Sequence, residues 1–175
     1  MIKAKQVYSI TKQVKDLYCQ SFPVCEQIPI KFFNQLVKSK QTSLFEFYLN
    51  KEFIGFIAGI DDKKYLYLTF FAIKPKYRNL GYGGLIMDEI VKQYGHKIIG
   101  LGIEKIDDFN NDKDIKVHRY HFYLRHGFKL CDFIVSHIGG TFNILTTKPI
   151  TMNQFKQLAK QKVPNFQINL KEIKN

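Results

Sequence analysis

Arg78 stands three positions before Gly81, and Gly83 and Gly84 follow within "YRNLGYGGLIMDEI", residues 77–90. The run after the glycines reads as a helix, with Ile86, Met87, Ile90 and Tyr94 on one face and Asp88, Glu89 and Lys92 on the other. A helix begins with unpaired N–H groups and the positive end of its dipole, so an uncovered beginning attracts anions. Glycine lets a ligand approach the backbone closely. An adjacent guanidinium suits phosphate. A strand, Arg-x-x-Gly-x-Gly and an amphipathic helix together read as a pyrophosphate cradle built on Arg78, Gly81, Gly83 and Gly84. The chain has no GxxxxGK[ST] and its spacing is not GxGxxG, so neither a P-loop nor the dinucleotide fingerprint is present. The competing reading is a tight turn that packs the helix on its strand. Arg78, the preceding strand and the following helix weigh toward the cradle.

The elements that would hold this turn can be read from periodicity. A first strand is expected over about Lys5–Ile10. Thr11 caps a helix to about Phe22, with Val14, Leu17, Tyr18 and Phe22 at helical spacing, and Pro23 ends it. A second helix is expected over about Ile30–Val37. "SLFEFYLN" and "EFIGFIAGI" read as a hairpin turning at Asn50–Lys51. "YLYLTFFAI" reads as a strand apolar enough to be buried on both faces, closed by Pro75. After the Gly81–Tyr94 helix come the strand "KIIGLGI", a polar loop able to cap the next helix, and that helix itself over about Ile115–His126, stopped by Gly127. Two strands around Gly139–Gly140 and a terminal helix "TMNQFKQLAKQKV" complete the order. This predicts a mixed α/β (α+β) single domain. Residues 1–150 form the main unit and residues 151–175 a helical appendage of the same domain.

The chain carries 27 Lys and Arg against 15 Asp and Glu, a formal charge of +12, with 45 % hydrophobic residues. That balance fits a globular chain that attracts anions: nucleic acid, an anionic membrane or a phosphorylated small molecule. The lysines are scattered, with no helix-turn-helix, no zinc knuckle and no basic-aromatic strand face, so no nucleic-acid partner is expected. Cys19, Cys25 and Cys131 form no CxxC pair, which fits a reducing compartment and no metal. The opening "MIKAKQVYSI" has no apolar core of signal-peptide length, and no apolar run is long enough to span a bilayer. A cytoplasmic location without membrane association is the expectation, and a homodimer is compatible with it.

"AIKPKYRNLGYGGLIMDEI" resembles the cofactor-binding motif of the GNAT superfamily of acyl-CoA N-acyltransferases, Arg/Gln-x-x-Gly-x-Gly/Ala. "RYHFYLRHGF", about 40 residues on, is similar to a later segment of that family, an aromatic-Tyr pair shortly before Gly-Phe. The resemblance covers roughly residues 1–150. It implies a central mixed, mostly antiparallel sheet flanked by helices, parallel and splayed where acetyl-CoA binds. It also implies that Phe71, Ala72 and Ile73, at the end of the strand before the turn, pair with the pantetheine arm, while the amides of Asn79, Leu80, Gly81, Tyr82, Gly83 and Gly84 hold the pyrophosphate beside Arg78. Tyr123 takes the position of the family's general acid for the departing thiolate and would also touch the cofactor. Glu104 is the first candidate base, acting directly or through water, and Glu46 the second. His118, His121 and His126 crowd the late helix as weaker candidates. Many members carry Asn where this chain has Lys116.

Acceptors in that family bind near the first two helices, the hairpin and the late strands. Glu26 there could pair with a cationic amine. Arg119, one turn before Tyr123, could bind a substrate carboxylate or phosphate, with a salt bridge to Asp112 or Glu104 as the plainer alternative. The region is aromatic and short of acid, which disfavours polyamine and aminoglycoside acceptors. The resemblance thus implies an N-acetyltransferase that moves acetyl from acetyl-CoA to a primary amine of a small molecule or peptide. The alternatives are a non-catalytic acyl-CoA sensor on the same fold and, behind it, a basic nucleic-acid-binding protein.

Overall fold

The computed structural model of the chain describes residues 1–137, 140–162 and 169–173. Its strands are β1 (Ile2–Val7), β2 (Ser43–Leu49), β3 (Glu52–Asp61), β4 (Tyr65–Ile73), β5 (Ile98–Glu104), β6 (Lys129–His137), β7 (Gly140–Thr146) and β8 (Asn169–Glu172). Its helices are α1 (Lys12–Ser21), α2 (Ile30–Lys38), α3 (Tyr82–Tyr94), α4 (Ile115–Arg125) and α5 (Met152–Lys162). The strands form one 8-stranded sheet in the order β1-β2-β3-β4-β5-β7-β6-β8. Every neighbouring pair is antiparallel except β4 and β5. The expected mixed α+β architecture is the one found.

Local chemistry sets most boundaries. Thr11 Oγ1 accepts from the Val14 amide at 3.3 Å to start α1, and Asp114 does the same for α4 from the Lys116 amide at 2.8 Å. Asn50 and Lys51 adopt φ 49° and 69°, the two left-handed residues of a tight hairpin between β2 and β3. Gly127, at φ 84°, ends α4 as expected.

Some expectations shift. The first strand begins three residues earlier, at Ile2 rather than Lys5, because it runs opposite β2 from Ile2↔Leu49 to Val7↔Leu44. The segment after residue 150 is more than a helix, since β8 pairs with β6 from Phe133↔Glu172 to Ser136↔Asn169. Gly139 of the expected turn and Val163 at the end of the terminal helix lie outside the described residues.

Helices cover both faces of the sheet. On one face α1 and α2 bring Val14, Leu17, Tyr18, Phe33 and Val37 onto Leu44, Phe53, Phe56, Ala58 and Ala72. On the other, α3 and α4 bring Ile86, Met87, Ile90 and Val117 onto Phe45, Phe47, Leu66, Leu68, Leu101 and Leu145. Phe155 of α5 joins Phe133, Val135 and Ile144 in a third cluster, with Tyr67 packed against it.

Strand β4 is not buried on both faces along its length as its composition suggested. Thr69 is exposed, and the β3 register slips there, with Ala58 opposite Phe70 and Gly59 opposite Leu68. Thr69 is therefore a bulge, and its hydroxyl donates to the Ala58 carbonyl at 3.0 Å. The bulge inverts the alternation. Leu66 and Leu68 face α3 before it, and Phe71 and Ile73 take that side after it, which turns Phe70 and Ala72 toward α1 and α2.

Glu46 is 1 % exposed on β2 and faces α1, opposite to its neighbours Phe45 and Phe47. It accepts hydrogen bonds from Thr11 Oγ1 and, at 2.6 Å, from Tyr48 Oη. The Tyr48 phenol is pushed up to about 12 by burial and by this carboxylate. Replacing Glu46 with Gln puts an amide donor against a hydroxyl, and a buried mismatch of this kind costs about 1–3 kcal/mol. The melting temperature of Glu46→Gln is expected to fall by about 2–4 °C per kcal/mol, which calorimetry checks.

Candidate active site

The parallel pair β4 and β5 stays in register from Tyr65↔Ile98 to Leu68↔Leu101 and then parts. Beyond that point β4 runs on to Ile73 paired only with β3, and β5 runs on to Glu104 paired only with β7. The Thr69 bulge lies where the two strands separate, and a bulge bends its strand. The result is a wedge between two strand edges that no longer pair with each other, with Phe71, Ala72 and Ile73 along one side and the Ile73 carbonyl taken by Arg78 Nε.

The glycine turn sits at the end of β4. Asn79 and Gly81 both take left-handed angles, φ 59° and 80°, and Gly81 caps α3 without any side-chain hydrogen bond. The first helical bond after the turn runs from Leu85 N–H to the Gly81 carbonyl. Among the described residues no protein acceptor receives the amides from Asn79 to Gly84. A row of uncovered donors at a helix beginning is an anion site.

The glycines are not equivalent. A Cβ on Gly81 would meet nothing within 4 Å, so there the backbone angle is what asks for glycine. A Cβ on Gly84 would come within 3.3 Å of the His126 ring, so Gly84 makes room for α4 to pack on α3. His126 Nδ1 lies 2.6 Å from Asp88 Oδ1 and fastens the same two helices. Gly83 meets only the Phe71 and Phe122 rings, at an ordinary 3.9 Å. Packing explains Gly84 and leaves Gly83 open to a ligand.

Arg78 is turned back on the fold. Its Nε donates to the Ile73 carbonyl at 2.8 Å and its Nη2 to Ser21 Oγ at 3.3 Å. It thereby ties the turn to the end of β4 and to the last residue of α1. Leu80 and Leu85 are exposed beside the turn.

Tyr123 packs against Phe122 and Phe128, with ring centroids 5.1 and 5.6 Å away. Its hydroxyl has no protein hydrogen-bond partner and is not sealed from solvent. Burial pushes the phenol up to about 12; Arg119 opposes the shift and Glu104 adds to it. The hydroxyl thus carries its proton throughout the neutral range.

Arg119 Nη1 bonds Glu104 Oε1, the plainer of its two expected roles. Burial raises the Glu104 carboxyl, but the Arg119 hydrogen bond and charge outweigh it and leave the group below its ordinary value of 4.5. A carboxyl lowered on folding stabilises the fold above its unfolded pKa, and that contribution is lost as pH falls through the folded value. Glu104→Gln should therefore flatten the acid side of the stability curve below about pH 4.5, read as melting temperature against pH. An unchanged acid limb would show that the pair adds nothing to stability.

Glu26, in a short 3₁₀ turn over Val24–Glu26, is near enough for Glu104 to raise and Arg119 to lower its carboxyl, although burial is the largest cause of its upward shift. Glu104 and Arg119 thus meet at the end of β5, with Tyr123 one turn along α4 from Arg119. Glu46 is elsewhere, beneath the start of α1. Lys116 Nζ donates to the Lys105 carbonyl at 3.2 Å and holds the start of α4 to the end of β5. Sequence reasoning missed the Thr69 bulge and the inward turn of Arg78. A threonine inside an otherwise apolar strand was the only available signal for the bulge.

The model of the acetyltransferase (GNAT) family matches residues 8–128. Among curated proteins none matches the chain. A protein from Bacteroides thetaiotaomicron assigned to the GNAT acetyltransferases is 20 % identical, with a TM-score of 0.75 over 92 % of this chain and 95 % of that one. A GNAT family acetyltransferase from Elizabethkingia anophelis, solved with acetyl-CoA bound, is 17 % identical, with a TM-score of 0.60 over 85 % of this chain and 98 % of that one. Naa50 from Arabidopsis thaliana, in complex with the bisubstrate analogue CoA-Ac-MVNAL, is 18 % identical, with a TM-score of 0.59 over 85 % of this chain and 99 % of that one.

Proposed function

We propose that this chain, which belongs to the acetyltransferase (GNAT) family, transfers the acetyl group of acetyl-CoA to a primary amine by direct attack on the thioester. The observation that carries this reading is the uncovered run of amides from Asn79 to Gly84 at the foot of a wedge between parted parallel strands. A diphosphate needs fixed donors, and a pantetheine arm needs unpaired backbone to lie against. Both are present side by side. The bound cosubstrate supplies a thioester carbonyl open to a nucleophile.

The chain's own residues then have separable tasks. The turn amides and the dipole of α3 hold the phosphates. The free edge of β4 from Phe71 to Ile73 aligns the arm and offers backbone donors to the polarised carbonyl oxygen. Tyr123 keeps a proton on a hydroxyl that no protein group engages, ready for the departing sulfur. Glu104 stays ionised beside Arg119, so it orients the incoming ammonium and accepts its proton weakly, leaving solvent to carry the proton off.

Titration with acetyl-CoA, followed by a thiol-release assay with a panel of amines, tests the reading. Saturable binding and amine-dependent release of CoA are the expected results. Binding without release on any amine would make the chain a sensor of acyl-CoA. Failure to bind any CoA compound would remove the reading altogether. No helix among the described residues is long and apolar enough to cross a membrane, and cytoplasmic residence stays part of the proposal.

A further inference from the structure

We infer that the Tyr67 hydroxyl is a catalytic group of acetyl transfer, standing at the apex of the wedge and accepting a hydrogen bond from the attacking amine, and that α5 holds it there. This rests on the acetyl-transfer reading and gives it a group on the face of the sheet opposite Tyr123.

The space for the Tyr67 ring is cut in β5. Ile99, Leu101 and Ile103 point to the α3 side, which turns Gly100 and Gly102 to the other. A Cβ on Gly100 would lie 3.4 Å from Tyr67 Cδ2, and one on Gly102 only 3.0 Å from Tyr67 Oη. The ring thus lies lengthwise over two bare positions of the neighbouring strand and ends at the second. Leu68↔Leu101 is the last pair that β4 and β5 make, so Gly102 is the first residue of β5 past the parting. Gly100 is buried and Gly102 only half-buried, so the hydroxyl sits at the open end of this lane.

Packing accounts for the ring and not for the hydroxyl. Phe155 of α5 meets the Tyr67 ring edge-on with centroids 5.6 Å apart, and is itself set against Phe133 at 5.5 Å. Phenylalanine at position 67 would make the same contact. The Tyr67 hydroxyl has no hydrogen-bond partner among the described residues and is not sealed from solvent. Burial, with a smaller part from Cys131, raises the phenol above its ordinary value of 10.0, so it keeps its proton. A polar group drawn this far out of water without a partner is a cost to the fold that a bound ligand removes.

The turn before α3 and Tyr123 belong to the α3 and α4 side of the sheet, which leaves the Tyr67 side for the nucleophile. The amine nitrogen must direct its lone pair at the thioester carbon, and an N–H held by the Tyr67 oxygen fixes that direction. The C–N bond forms and the C–S bond breaks. The sulfur takes a proton from Tyr123, which recovers one from solvent, and the proton shed by the nitrogen leaves by way of Glu104 and solvent. Tyr67 keeps its own proton throughout. The two phenols serve opposite ends of the reaction, Tyr67 the nucleophile and Tyr123 the leaving group. Helix α5 lies beyond residues 8–128, which match the family model, so the support for Tyr67 comes from this chain's own C-terminal segment.

The test measures kcat/KM with acetyl-CoA for ethylamine, 2-phenylethylamine and a Met-first pentapeptide. Tyr67→Phe is expected to lower it about tenfold, the worth of one neutral hydrogen bond. The factor should be the same for every amine that reacts, since the hydroxyl meets only the nitrogen, with acetyl-CoA affinity and melting temperature unchanged. Gly102→Ala presses a methyl on the hydroxyl, while its next neighbour, Phe142 Cβ at 3.4 Å, is an ordinary contact. It should slow the parent about as much, yet change the Tyr67→Phe variant by less than about twofold. Phe155→Leu gives up the edge-on ring contact and should cost about threefold in the parent, and again nothing once the hydroxyl is gone.

A Tyr67→Phe variant as fast as the parent overturns the inference. So does a Gly102→Ala loss that is equally large without the hydroxyl, which would make the glycine a matter of strand packing. A parent that releases no CoA with any of the three amines is a different failure, and it removes the proposed function and the role of Tyr67 together.

Discussion

Replacing Tyr123 with Phe is expected to lower kcat for acetyl transfer about a hundredfold, at the low end of what a positioned acid contributes, while acetyl-CoA affinity stays within about twofold. The ring contacts with Phe122 and Phe128 survive the substitution, and the missing hydroxyl had no protein partner whose bond would be lost. The fold therefore has little reason to change, and the rate effect belongs to the proton. Single-turnover thiol release beside a binding titration separates the two. A variant with the parent's kcat would reduce Tyr123 to one more packing aromatic. The position of its pKa adds a second reading. With the phenol at about 12, a falling alkaline limb in the neutral range of the pH–rate profile must come from another group.

The parts of this molecule legible in the sequence are those decided locally. Thr11 and Asp114 cap helices because their side chains reach an amide three or two residues on, whatever the rest of the chain does. The Asn50–Lys51 hairpin and the Gly127 stop are equally local. The turn into α3 was legible because glycine at its entrance can take the left-handed angle the turn needs. The features that escaped depend on partners distant in the chain. The Thr69 bulge exists because β3 and β5 make different demands on one strand, and that bulge opens the wedge. Arg78 reads as a phosphate ligand in sequence, but Ser21 and the Ile73 carbonyl come close only once the sheet has formed. The tail read as a helix also carries β8, whose "NLKE" is too short to declare itself before β6 is beside it.

Glu46 and Glu104 show the same division. Both are carboxylates in strands, and sequence ranks them only by position. Folding places Glu46 under Thr11 and Tyr48, where it is saturated by hydroxyl donors. It places Glu104 at a strand end, where Arg119 from the late helix keeps it charged at the mouth of the wedge. One became structure and the other a candidate for chemistry, and the difference lies entirely in the groups that came to meet them.

Gly83→Asp gives the sharpest separation between a turn that packs and a turn that binds. The substitution puts a carboxylate in the first turn of α3, where the helix dipole favours it by about 0.3–1 kcal/mol. The nearest atoms to its Cβ are ring carbons at 3.9 Å, so there is room for it. The melting temperature without ligand is therefore expected to hold or rise slightly. The same carboxylate lies within the turn whose amides are assigned to a diphosphate, and its side chain can take up amides that the ligand needs. Two like charges about 4 Å apart repel by about 4 kcal/mol near a protein surface, so acetyl-CoA affinity should fall at least a hundredfold. If the turn served only to let α3 settle on its strand, the carboxylate would meet no ligand charge and acetyl-CoA affinity would be unchanged. A fold at least as stable as the parent that no longer holds acetyl-CoA is the result expected if the amides from Asn79 to Gly84 serve a phosphate.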